Sequence, residues 1–80
     1  MTWLDSITTW TIVTSNPDGS RLPQPASSFN QAWLLAQPPQ TAAWTTRLKE
    51  EVYELFHIGA RQVPVAAHTN GTIRYIHRGN

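Results

Sequence analysis

The sequence predicts a small α+β domain of two layers, in which an antiparallel sheet made from two β-hairpins carries one or two helices on one face. Two turn sequences, residues 16–19 and Asn70-Gly71, lie beside segments rich in strand-forming residues towards the two ends of the chain. Two segments with the apolar spacing of helices lie between the hairpins. These observations predict the element order β-β-α-α-β-β. The length of 80 residues predicts a single domain over residues 1–80.

The first hairpin is predicted to begin with a strand over residues 7–14. Its threonine, valine, isoleucine and tryptophan side chains favour a pleated, half-buried surface. Residues 16–19 read Asn-Pro-Asp-Gly, in which proline presets a turn backbone and glycine accepts the left-handed position that follows. We expect a short return strand at residues 20–22. Pro23 and Pro25 favour an edge position or an extended connection, because proline cannot donate to a ladder.

The first helix is predicted to start after Ser28. Ser28 as N-cap and Gln31 at the third helical position complete a capping box. The apolar residues that follow have helical spacing: Phe29, Ala32, Trp33 and Ala36. Pro38 and Pro39 end the segment, because the residue before a proline is biased away from helix.

The second helix is predicted to begin near residue 41 and to end near residue 58. Its apolar residues recur at intervals of three and four and would form one stripe: Trp44, Leu48, Val52, Leu55 and Phe56. Gly59 follows where a left-handed C-cap residue belongs, and His57 favours the negative end of the helix.

The second hairpin is predicted to turn at Asn70-Gly71, because a two-residue type I′ turn needs positive φ at both central positions. This turn fixes the register by pairing Thr69 with Thr72, Ala67 with Arg74, and Val65 with Ile76. One face of the hairpin then holds Val63, Val65, Ala67 and Ile76, with Arg74 and Arg78 near its ends. The other face holds Ala66, His68, Ile73, Tyr75 and His77.

Composition limits the class of protein. A chain this short buries a small core, so we expect Trp10, Trp33 and Trp44 to supply much of it. Trp3 is either part of the core or an exposed binding anchor. The absence of cysteine excludes disulfides and thiolate zinc sites, and it favours a cytoplasmic setting. The sequence shows neither a signal peptide nor an apolar run long enough for a membrane span.

No arrangement typical of catalysis is present in the sequence. In the predicted register His68 and His77 share a face but stand about 13 Å apart, too far for one zinc ion. Glu50, Glu51 and Glu54 have basic neighbours and are typical of a solvated helix face. No strained serine elbow and no phosphate-binding glycine loop is found. We therefore expect no cofactor, no metal site and no enzymatic activity.

The C-terminal segment holds the candidate binding residues. From residue 61 onward the chain has three arginines, two histidines and no acidic residue. Guanidinium groups suit carboxylates and phosphates, and Arg and Tyr are enriched at protein interfaces. The predicted binding residues are Arg61, Arg74, Tyr75, Arg78, His68, His77 and Trp3.

These features predict a small non-enzymatic protein that modulates or inhibits a larger target by occupying its surface, with a protein as the expected partner. Small phage and mobile-element proteins are often built this way, so such an origin is part of the hypothesis. One alternative is a small regulator that binds nucleic acid. Another is an accessory subunit that pairs through a sheet edge, as a homodimer or with another protein.

Overall fold

A computed structural model describes residues 9–40 and 42–79 and shows a five-stranded antiparallel sheet with two helices. The elements in chain order are β1 (Trp10–Ser15), β2 (Arg21–Ala26), α1 (Phe29–Ala36), β3 (Trp44–Thr46), α2 (Lys49–His57), β4 (Gln62–His68) and β5 (Ile73–Arg78). The strands lie in the order β2-β1-β5-β4-β3, so β5 is central. The predicted two-layer α+β fold is confirmed, although the short strand β3 adds an element to the predicted order. Within the described ranges, no helix is long and apolar enough to cross a membrane.

The first hairpin forms at the predicted turn, but its second strand is longer than predicted. The amide of Gly19 donates to the carbonyl of Asn16 at 3.0 Å, and the amide of Asn16 donates to the carbonyl of Ser20 at 2.9 Å. Because ladder bonds alternate along an antiparallel strand, the nitrogens of Pro23 and Pro25 face away from β1. Both prolines are therefore accommodated within an edge strand. The predicted first strand also extends over residues 7 and 8, which lie outside the described residues.

Helix α1 agrees with the prediction, with one change at its start. The Ser28 hydroxyl accepts from the amide of Gln31 at 3.1 Å, as in a capping box. The Gln31 side chain, however, accepts from the amide of Ser27 rather than that of Ser28. Phe29 and Ala36 are buried against the sheet. The helix ends at Gln37, whose extended backbone precedes the two prolines.

The second predicted helix is wrong in its first half. Trp44–Thr46 forms the edge strand β3 and pairs with β4, and α2 begins only at Lys49. One tryptophan and two threonines favour a strand, and pairing with β4 outweighs their helical spacing. Leu48 therefore does not belong to the apolar stripe, and its side chain is 72% exposed. Residue 41, the predicted start, lies outside the described residues.

The C-terminal end of α2 is formed as predicted. Gly59 has a φ of 114°, and its amide donates to the carbonyl of Phe56 at 3.1 Å. The amide of Ala60 donates to the carbonyl of Leu55 at 2.9 Å. These two bonds are the pair that closes a helix through a left-handed glycine.

The second hairpin reverses at Asn70-Gly71 as predicted, but the predicted two-residue turn type and the register are wrong. The amide of His68 donates to the carbonyl of Thr72 at 2.8 Å, so the loop has three residues and ends in Gly71, whose φ is 95°. This is the common three-residue hairpin, in which a type I turn is followed by a left-handed residue. Its register differs by one residue from that of the predicted two-residue loop.

A β-bulge in β4 changes the register a second time. The pairing shifts between Pro64 and Ala66: Ala66 lies opposite Arg74 in the register of the loop, but Pro64 lies opposite Tyr75. The bulge leaves Val65 and Ala66 both buried, because two successive side chains there contact the helix layer. Ala67 was predicted to share a face with Val63 and Val65, with Ala66 on the other face. The structure shows the reverse, because Ala66 is buried with the two valines and Ala67 is exposed.

The core lies between one face of the sheet and the two helices. Trp10 is only 1% exposed and packs edge-on against Phe56, with ring centroids 5.2 Å apart. Helix α1 lies over β1, β2 and β5, and α2 lies over β4. The prediction that Trp10 is a core residue is confirmed, whereas Trp33 and Trp44 are half-buried. We call the face beneath the helices the helix side of the sheet.

Candidate functional site

The face of the sheet opposite the helices brings together side chains from all five strands. Alternate residues of a strand point to opposite faces. Trp10, Ile12 and Ile76 are buried on the helix side, so their neighbours along β1 and β5 point to the opposite face. Within residues 9–40 and 42–79, neither helix packs on this side. We call it the open face; it comprises Thr11, Val13, Ser15, Arg21, Pro23, Pro25, Thr45, Gln62, Pro64, Ala67, Ile73, Tyr75 and His77.

The centre of the open face is apolar. Val13 of β1 lies opposite Tyr75 of β5, and the two are flanked by Pro23 on one side and Pro64 on the other. Val13 and Tyr75 are half-buried by their neighbours, while both prolines are exposed. The row crosses four strands and presents a continuous apolar and aromatic surface. Strands β1 and β5 are hydrogen-bonded on both sides, so the backbone beneath this row is rigid.

The second aromatic feature of the open face is His77, whose ring centroid lies 6.2 Å from that of Tyr75. Burial lowers the pKa of His77, and the Arg21 cation lowers it further. The imidazole is therefore neutral at pH 7. Its Nε2 atom is inaccessible to solvent and has no hydrogen-bond partner within the described part of the chain.

The charge of the open face is small. Arg21, near one corner, is the one residue of this face that is charged at pH 7. The acidic residues of the described chain lie elsewhere: Asp18 in the first turn, and three glutamates on α2 in the helix layer. The Asp18 carboxylate accepts from the hydroxyl and the amide of Ser20, and these bonds lower its pKa.

Two of the predicted binding arginines point to the helix side instead. Arg74 Nη1 donates to the carbonyl of Gln37 at 3.0 Å, and its guanidinium lies 4.9 Å from the centre of the Trp44 ring. Arg78 Nη1 donates to the carbonyl of Phe56 at 3.4 Å, at the C-terminal end of α2. Both side chains join the helix layer to the sheet, and a cation near the end of a helix is stabilising there.

The remaining predicted residues are distributed over the molecule. Arg61 is exposed before β4, and its carbonyl accepts from the amide of Arg78 at 2.8 Å. His68 packs on the helix side against Trp44, with ring centroids 4.5 Å apart. Trp3 lies outside the described residues.

Of the seven predicted residues, the structure brings Tyr75 and His77 together on the open face. The prediction that His68 shares a face with His77 is wrong, because the three-residue loop shifts the register by one residue and pairs Ala67, rather than His68, with Ile73. The functional role of each of the seven residues remains a prediction.

Sequence reasoning missed Val13, Pro23 and Arg21 as members of a surface. The alternation of Val13 with Trp10 and Ile12 was a usable signal for that residue, but the order of the strands, which joins β1 to both β2 and β5, has no signature in the sequence. It also missed a small depression of about 220 Å³ beside Trp44, lined by residues 37–40 and Thr46.

The described residues contain no group of three or more His, Cys, Asp or Glu side chains placed to hold a metal ion. The arrangement that does exist, an apolar centre with one cation and a neutral imidazole, is suited to packing against another surface. Comparison of the chain with protein families, curated proteins and solved structures finds no match.

Proposed function

We propose that this protein is a small non-enzymatic binding protein that modulates or inhibits a larger protein target by covering part of its surface with the open face. The observation that carries the proposal is the apolar row through Val13 and Tyr75, on a side of the sheet where neither helix packs. Apolar surface of this kind on a folded domain marks interaction sites. A cytoplasmic location and an origin in a phage or mobile element belong to the same proposal, supported by small size and the lack of cysteine.

The chemistry of the open face favours a protein over a nucleic acid. Tyr and Arg are enriched at the centres of protein interfaces, and charged residues are depleted there. Binding to a phosphate backbone requires several free cations, and each neutralised phosphate contributes about 0.9 to the salt slope. Arg74 and Arg78 are engaged on the helix side, which leaves Arg21 on this face.

The edges of the sheet favour binding through a face over extension by a partner strand. At the β2 edge, Pro23 and Pro25 lack the amides that would otherwise donate to an added strand. At the opposite edge, β3 has only 3 residues. A partner strand would therefore find few hydrogen-bonding groups at either edge.

The proposal is tested by crosslinking and capture from the native cell with substituted baits. Val13→Asp and Tyr75→Glu place a charge in the centre of the open face, and Leu34→Glu is the matched control on the outer side of α1, where Leu34 is 70% exposed. A buried charge at an interface centre costs several kcal/mol, so recovery of the partner should fall at least about tenfold for the first two variants. The control should retain the partner.

The folded state of each bait is checked by circular dichroism and thermal unfolding before capture. Equal recovery by all three variants would contradict the proposal. Loss of recovery only in the Leu34→Glu control would indicate that the partner binds at α1 instead. A nucleic-acid partner would instead show as a mobility shift that fades as the salt concentration rises.

A further inference from the structure

We propose that in the free protein the open face is occupied by a second copy of the same chain, in a two-fold dimer packed face to face. This inference rests on the proposed function, since it names what covers the same surface before a target binds. It makes self-association and target binding mutually exclusive.

Charge is the first argument for a second copy as the occupant. Interfaces between identical subunits are more apolar than other interfaces, charged residues are depleted at their centres, and opposing like charges are unfavourable. The centre of the open face is formed by Val13 and Tyr75 between two prolines, and it carries no charge. A strongly acidic or basic partner would meet only Arg21, at a corner.

Geometry is the second argument. Stacked sheets pack about 10 Å apart with their strands nearly aligned. A two-fold axis in the interface and parallel to β5 places β5 on its copy, β1 on β4, and β2 on β3. Tyr75 then meets Tyr75 of the other copy, and Val13 meets Pro64.

The same axis separates the like charges. Each Arg21, on β2, would lie over β3 of the other copy. The two guanidinium groups would then be separated by the width of the sheet, about 19 Å for four strand spacings. This distance exceeds the Debye length of about 8 Å at physiological ionic strength, so their repulsion is screened.

The size of the face predicts a weak dimer. The strands have 6, 6, 3, 7 and 6 residues. At about 3.3 Å per residue and about 4.8 Å between strands, they give a plan area of roughly 440 Å² per copy. Two copies would bury roughly 900 Å², the size of weak and transient interfaces. Such an interface supports dissociation constants near the micromolar range, weak enough for a target to displace the second copy.

The test is sedimentation of the purified full chain from about 1 µM to about 500 µM. The weight-average mass should rise from that of the monomer towards twice that value. Val13→Asp should weaken association at least about tenfold, whereas Leu34→Asp on α1 should leave it unchanged. If Val13→Asp does not fold, the test uses the unsubstituted protein instead, and the NMR chemical shifts of its backbone amides are followed as its concentration rises. The changes in shift should be concentrated at Val13, Ile73 and Tyr75.

A monomer at every concentration would overturn the dimer, as would association that Leu34→Asp abolishes and Val13→Asp does not. Amide shifts confined to the helices would overturn it as well. The capture experiment shows which of the two proposals, the dimer or the proposed function, has failed. A monomer whose Val13→Asp variant loses its target refutes the dimer alone. A dimer whose Val13→Asp variant retains its target refutes the proposed use of the open face.

Discussion

Strand β5 offers a direct measurement of how differently the two faces of the sheet are packed. Ile76→Val and Ile73→Val remove the same methylene from opposite faces of one strand. Ile76 is 0% exposed, so the change costs about 0.8 kcal/mol of transfer free energy. A residual void of about 20 Å³ adds about 0.5 kcal/mol, giving a total of about 1.3 kcal/mol. Ile73 is half-buried on the open face, and its change should cost less than about 0.5 kcal/mol.

Urea unfolding followed by tryptophan fluorescence measures both costs, because the buried Trp10 reports the loss of the core. An 80-residue domain has about 4–12 kcal/mol of stability, so both variants remain folded. Measurement at low micromolar concentration keeps self-association from contributing. Heating should show the same order, with the unfolding temperature of Ile76→Val lowered by about 5–10 °C. Equal costs for the two variants would refute the reasoning, because the open face would then be as tightly packed as the core.

Three further predictions concern single contacts. In a double-mutant cycle, Arg74→Met and Trp44→Leu should couple by about 0.5–1 kcal/mol, the value of a partly exposed cation–π contact. Gly71→Ala should cost more than Gly19→Ala in urea unfolding. Both require positive φ, at about 1–2 kcal/mol each, but only at Gly71 would the new Cβ lie 3.1 Å from a proline. The free energy of unfolding should fall as the pH falls below 6.5, because the pKa of His77 is lowered in the folded chain, and His77→Gln should flatten that decline.

The sign of the pH dependence follows from which state takes up the proton. Well above pH 6.5 both the folded and the unfolded chain hold a predominantly neutral His77. Below that value the unfolded chain is protonated first, so it is stabilised until the pH reaches the lowered pKa. A stability profile that is unchanged by His77→Gln would contradict this account. Zero coupling in the cycle, or equal costs at the two glycines, would contradict the other two predictions.

The fold class could be predicted because local signals agreed with it. Residues 16–19, Ser28 with Gln31, and Gly59 each specify a turn or a helix end by chemistry that acts within a few residues. These signals do not depend on the rest of the chain. The first turn, α1 and the end of α2 therefore lie where they were predicted.

The parts that failed depend on distant residues. Trp44 has helical spacing with Val52, but pairing with β4 gives it a strand environment instead. The bulge near Val65 is favoured because it buries two successive side chains under α2, which no local pattern in β4 reveals. Small register changes then reverse which face each side chain occupies.

The candidate site could not be predicted for the same reason. The open face combines residues of all five strands, and its centre exists because β1 pairs with β5 across more than 60 positions of sequence. The arginines suggested a basic surface by composition alone. Arg74 and Arg78 alternate with Tyr75 and His77 along β5, which indicated that the arginine side chains would point to the opposite face.

The two prolines of β2 also determine how large any assembly of this protein can become. A filament that grows by adding copies at the edges of the sheet requires each outer strand to pair with a strand of another copy. The nitrogens of Pro23 and Pro25 cannot donate hydrogen bonds to such a strand. A two-fold contact through the open face uses the same surface of both copies and leaves none of it for a third copy. In the proposed dimer, growth would therefore end at a pair, and the proline-bearing edge would not extend the sheet into a fibril.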